Sequence, residues 1–161
     1  MDIEGGGGII STAWVADNAI LVPNAAGFTS ISNLKTFKKR VGDSLYLRGS
    51  FTMNSGAAAS ANFGLVGVTI DLAKIPGNAN TIKLMDMHRL SNTNGAVYIA
   101  SIGLVGFCDG TTNSKIFITD QLGNTPAQFD KVNVSAFAAA GNAFTFETLG
   151  GGIPITGWTQ S

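Results

Sequence analysis

Leu45, Leu47, Gly49 and Phe51 take alternate positions in one short run, and Tyr46, Arg48 and Ser50 fill the positions between. Successive side chains of an extended chain point to opposite sides, so this period of two marks a strand with one buried face. The pattern recurs along the chain. Val66, Val68, Ile70 and Leu72 alternate with Gly67, Thr69 and Asp71. Ile116 and Ile118 alternate with Lys115, Phe117 and Thr119, and Val132, Val134 and Ala136 with Asn133 and Ser135. Phe144 and Phe146 flank Thr145.

Turn formers separate these runs: Val41-Gly42-Asp43, Asn54-Ser55-Gly56, Pro76-Gly77-Asn78, Asn94-Gly95, Asp109-Gly110 and Gly123-Asn124-Thr125-Pro126. Asn, Asp and Gly tolerate positive φ and so close tight turns. Short strands between regular turns predict an all-β fold, an antiparallel β-sandwich of about eight strands, jelly-roll-like. Helix signals are poor. Ala57–Ala61 is too short to hold a helix, and Leu72–Ile75 makes one turn at most before Pro76. Gly64-Leu65-Val66-Gly67 is echoed by Gly103-Leu104-Val105-Gly106, a pairing too sparse for a repeat fold. Such alternating glycines mark bulges or close sheet packing.

The chain of 161 residues suffices for one domain with a real core. Residues 1–13, with the run Gly5–Gly8, read as a short extended arm, and residues 14–161 as a single sandwich.

Charged residues make up 12% of the chain, against about 25% in an average soluble protein. A folded monomer of this mass exposes roughly 7,600 Å². Small polar side chains or sister subunits must cover most of that area. Interface cores are depleted in Lys, Glu and Asp, so the deficit predicts a homo-oligomer. The formal net charge of zero disfavours nucleic acid as a partner. Cys108 is the single cysteine, which leaves no internal disulfide and no zinc-type spacing. The acidic start of the chain is no secretory signal, and no apolar run is long enough for membrane insertion. Synthesis in a cytosol is expected.

Catalytic chemistry finds little support. His88 is the only histidine, and nearby Asp86 on a strand shares its face without completing a triad. No Gly-x-Ser-x-Gly elbow is present. Cys108 has no adjoining cation to activate it and reads as a buried hydrophobe. Asp43 and Asp109 sit beside glycines as turn residues, and Asp109–Asn113 lacks the ligand density of a calcium loop. The expectation is a protein without enzymatic activity, catalytic residues, metal or cofactor.

Contact surfaces are better marked. Lys35, Lys38, Lys39 and Arg40 form the one basic cluster, and with Arg48 they hold half of the ten basic residues. They suit an acidic protein surface or an anionic glycan, although lysines also routinely guard strand edges. Trp14 and Trp158 lie near opposite ends of the chain, and chain ends are often close in space. Trp14, Lys38, Lys39, Arg40 and Trp158 are therefore the expected subunit or partner contacts.

Two segments carry a resemblance: Phe37–Phe51 (FKKRVGDSLYLRGSF) and Ile153–Trp158 (IPITGW). Together they resemble a family of β-sandwich domains in tailed phages and prophages. There an Arg-Val-Gly-Asp-like turn enters a strand ending in a Gly-x-Phe-like step, and a Pro-Ile-x-Gly-Trp-like element closes the chain. The resemblance implies a virion structural protein, typically trimeric, made in the host bacterial cytoplasm and displayed on the outer virion surface. It has no long shaft before the sandwich, unlike the fibre members. The arm, through Asp2, Ile3, Glu4, Ile9 and Ile10, would then bind the phage major capsid protein or another virion protein. The expected function is a homotrimeric head decoration (cement) protein. The alternative is a tail-fibre tip that binds host surface glycan.

Overall fold

A computed structural model describes residues 8–24, 31–53, 62–75, 82–91, 104–108, 111–120 and 142–161. Among these residues ten strands form in chain order: β1 (Val15–Ala16), β2 (Leu21–Pro23), β3 (Ile31–Val41), β4 (Ser44–Met53), β5 (Asn62–Leu65), β6 (Ile82–Ser91), β7 (Leu104–Cys108), β8 (Lys115–Asp120), β9 (Asn142–Thr148) and β10 (Ile153–Pro154). The only helical element among the described residues is a 3₁₀ turn at Leu72–Lys74, capped where the Asp71 carboxylate accepts from the Ala73 N–H. That is the single turn expected before Pro76.

All strand pairs are antiparallel, in the order β1-β3-β4-β9-β6-β7-β8-β5-β2, with β10 added to the start of β4. Three pairs nest in sequence: β6 with β7, β5 with β8 outside it, and β4 with β9 outside that. A long hairpin rolled over on itself gives such nesting, the jelly-roll pattern. The roll brings β4 and β9 against β5 across the core. The Phe51 ring lies 5.5 Å from that of Phe63 and 5.4 Å from that of Phe144, and Phe146 is 6.4 Å from Phe63. The protein is thus an all-β antiparallel sandwich of about the expected strand number, its described strands including the two-residue pieces β1 and β10.

The phase of β4 follows its alternation. Leu45, Leu47 and Phe51 are buried, while Tyr46, Arg48 and Ser50 face outward. Gly49 keeps the inward face but has no room for a side chain. A Cβ there would overlap the Lys35 carbonyl oxygen and crowd the Phe146 ring. The β3–β4 register shifts between Ser32 and Lys35, next to this close approach. Gly106 on β7 is similar, since a Cβ would collide with Met85 and Ile116.

One expected strand differs. The alternation Val66–Leu72 does not form a continuous strand. The chain leaves β5 after Leu65 and bends at Gly67, whose φ is +80°. Val66 is left 53% exposed, and Ile70 is buried through an isolated bridge to Ile155.

The sheet ends are joined covalently. β1 and β2, the first and last strands of the order, are separated only by Asp17–Ile20. This link crosses between layers with its backbone satisfied: Asp17 N–H donates to Thr36 O at 2.8 Å, and Ile20 O accepts from Val66 N–H at 3.0 Å. It covers edges that would otherwise invite strand addition. The segments 54–61, 76–81, 92–103, 109–110 and 121–141 fall outside the described residues, and with them the other turn clusters, Ala57–Ala61 and the Val132–Ala136 alternation.

Candidate functional site

The five residues expected as contacts gather at one corner, where β1 and the residues before it run along β3. Val15 pairs with Lys38 and Ala16 with Phe37. Nearer the N-terminus, Thr12 N–H donates to Arg40 O at 3.0 Å, and Arg40 N–H donates back to Thr12 Oγ1 at 2.8 Å. Residues 8–13 therefore lie on their own sandwich: Ser11 bridges Val41, Ile10 N–H donates to Gln160 O, and Gly42 N–H to Ile10 O. Ile9 is 63% exposed. Asp2, Ile3 and Glu4 lie outside the described residues.

Two cation–aromatic clusters sit on opposite faces of β3. On the outer face, the Arg48 guanidinium is 4.2 Å from the Trp14 ring centroid, and Lys39 Nζ is 5.0 Å from it. Lys39 also stands 5.3 Å over the Tyr46 ring. The β3–β4 register sets this by placing Lys39 opposite Tyr46 and Phe37 opposite Arg48. Contacts of this kind are worth about 0.5–1 kcal/mol each when exposed. On the inner side, Arg40 lies 4.6 Å from the Trp158 centroid. Arg40 is further fixed by donating Nε to Gly42 O at 2.7 Å and Nη2 to Thr159 O at 3.0 Å. Trp14 and Trp158 thus flank the same strand end on its two sides.

Beside Arg40 opens a cavity of about 330 Å³, its walls mainly apolar, from Val15, Ile20, Leu45, Val68 and Trp158, with Thr12, Lys38 and Lys39 also lining it. So apolar a lining offers little to sugar hydroxyls. On the outer face a shallower groove of about 360 Å³ runs between Lys35, Phe37, Arg48 and Glu147.

Charge at this corner is unbalanced. Lys38 pairs with Asp17 at 2.7 Å. That hydrogen bond, chiefly, holds the Asp17 carboxyl below its ordinary value of 3.8. Lys35, Lys39, Arg40 and Arg48 have no carboxylate within ion-pair distance among the described residues. Glu147 is opposite Arg48 in the register but does not reach it. Phe37, 39% exposed, sits among these cations.

The remaining candidates fall elsewhere. Cys108 is fully buried in the core, and His88 is exposed on β6 opposite Thr145. Asp43 is in the β3–β4 turn, held by Lys74 and Gln160. The sequence places Tyr46 and Arg48 on the outward face of β4, but not Phe37 beside them nor Trp14 packed over Lys39 and Arg48. The signal was present in the alternation of β4, but β3 itself shows no clean period. Among the described residues no group of three or more His, Cys, Asp or Glu side chains converges, and no helix is long and apolar enough to cross a membrane.

The fold and corner define an all-β sandwich with a basic, aromatic edge. No protein-family model, curated protein or solved structure matches the chain.

Proposed function

We propose that this protein is a non-enzymatic structural component of a tailed-phage virion, a homotrimeric head decoration protein on the capsid exterior, and that the β1–β3 corner is the contact surface through which it joins its assembly. The observation that carries the surface assignment is the cluster of four cations with no carboxylate partner among the described residues, around exposed Phe37 and half-buried Trp14. A chain of zero net charge and low charge density that gathers four such cations on one edge presents a complement to an acidic protein face.

The virion reading draws on the resemblance of Phe37–Phe51 and Ile153–Trp158. These segments form one structural unit. Ile153 and Pro154 pair with Leu45 and Ser44, Ile155 N–H donates to Asp43 O, and Trp158 stacks under Arg40. A motif split across the chain but joined in space is the expected form of a shared structural feature. Stacking by Arg48, Lys39 and Arg40 on both tryptophans, together with the apolar cavity, favours a protein partner over a glycan.

Quantitative mass spectrometry of purified particles tests the reading. Hundreds of copies per particle are expected for a decoration protein. A handful would transfer the assignment to a fibre tip, and absence from particles would overturn it.

A further inference from the structure

The occupant of the basic corner can be named from the chain's own sequence. Asp2 and Glu4 supply two of the ten acidic residues, within four positions of the N-terminus, and a glycine run follows them. In an extended backbone, residues two apart project to the same side about 7 Å apart. Lys35, Phe37 and Lys39 repeat on the outer face of β3 at that same step, with Arg48 beside Phe37. A two-carboxylate strip therefore matches a corner whose cations have no carboxylate partner among the described residues.

The direction of the chain decides between the same copy and another. Residues 16, 15, 12, 11 and 10 lie successively beside residues 37, 38, 40, 41 and 42. From Ala16 to Ile10 the chain thus runs toward the β3–β4 turn and away from Arg48. A return within one copy needs a reversal. Docking on a neighbouring copy needs no such reversal.

We propose that Asp2 and Glu4 of one copy dock on the Lys35, Lys39 and Arg48 corner of a second copy, joining protomers head to tail. Each copy gives one acidic strip and receives one, so three copies close a ring with no strip or corner left over. This rests on the reading of the corner as a contact surface and names its partner. It places the arm on a sister subunit rather than on the capsid lattice.

The experiment is sedimentation velocity on the full chain at micromolar concentration, free of particles. It compares wild type, Asp2→Lys/Glu4→Lys, Lys39→Glu/Arg48→Glu and the fourfold variant that carries both swaps. The wild type should associate. Each double variant should associate at least about ten-fold more weakly, since attraction becomes repulsion at two positions. The fourfold variant should recover most of the loss. A monomeric wild type, double variants that associate like wild type, or a fourfold variant no better than its parents would overturn the proposal. Lys39→Gln/Arg48→Gln, with circular dichroism on every variant, provides a milder version if charge reversal prevents folding. Because particles are absent, failure here leaves the copy count per virion free to stand or fall separately.

Discussion

Gln160 Nε2 donates to Asp43 Oδ1 at 2.7 Å, tying the last residues of the chain to the β3–β4 turn across 117 positions. Lys74 closes the same node, its Nζ 2.7 Å from Asp43 Oδ2 and 3.9 Å from Asp71. The hydrogen bond from Lys74 is the main cause holding the Asp43 carboxyl below its ordinary 3.8, and it raises Lys74 above its ordinary 10.5. A depressed carboxylate stabilises the fold above its unfolded value and loses that contribution as pH falls through the folded one. A raised lysine contributes fully below its unfolded value and loses it as pH rises through the folded one. The melting temperature should therefore be flat between about pH 5 and 9 and decline at both ends. Asp43→Asn should melt lower at pH 7, and its gap from wild type should narrow below pH 4. Melting curves across pH check this, and a constant gap down to pH 2 would remove the node from the account.

Thr36 is fully buried on β3, and its Oγ1 has no hydrogen-bond partner among the described residues. Its backbone is satisfied, since the N–H donates to Asn18 Oδ1 at 2.9 Å and the carbonyl accepts from Asp17 N–H. Only the hydroxyl is left without compensation, and an unpaired buried hydroxyl costs about 1–3 kcal/mol. Thr36→Val keeps the branched shape and removes that group. It should raise stability by about 1 kcal/mol in urea denaturation. An unchanged or lower midpoint would mean that the hydroxyl is satisfied in solution.

Gly49→Ala tests the close approach of β3 to β4. The new methyl would meet the Lys35 carbonyl, a backbone atom that cannot swing aside, as well as the Phe146 ring. Overpacking of this kind costs about 1–3 kcal/mol. Gly151→Ala is the matched control, because nothing lies within 4 Å of a Cβ there. The melting temperature should fall clearly for the first and hardly move for the second.

The parts legible in the sequence and the parts that were not differ for physical reasons. β4 declares itself because one face is wholly apolar and the other polar, so a period of two survives. β6 does not, because a register shift between Lys83 and Met85 leaves adjacent Leu84 and Met85 both buried. β3 hides for another cause: its fully buried residue is Thr36, its inner row continues in Lys38 and Arg40 beside the cavity, and its outward residues are Lys35, Phe37 and Lys39. Val66–Leu72 misleads in the opposite sense. Its alternation fits the burial of Ile70, but the bend at Gly67 ends the ladder. At the corner, Trp14, Lys38, Lys39, Arg40 and Trp158 were readable as a group from composition and chain position. The stacking of Arg48 on Trp14 was not, since it depends on which residue of β3 faces which residue of β4.

Phe51 is the most exacting position for the sandwich. Its ring is 1% exposed and is surrounded by Phe63, Phe144 and Phe146, the last at 6.2 Å. These rings come from both layers, so Phe51 joins the two sheets rather than lining one. Phe51→Ala should cost about 3–5 kcal/mol, the transfer loss plus a cavity that stiff neighbouring rings cannot fill. Phe51→Asp should abolish cooperative folding, since it places an unpaired carboxylate in that cluster. Arg48→Gln, on the opposite face of the same strand, removes one stacking contact and should cost only about 0.5–1 kcal/mol. Thermal denaturation of the three variants should keep that order. A soluble Phe51→Asp protein with a sharp transition would show that β4 presents its other face to the core.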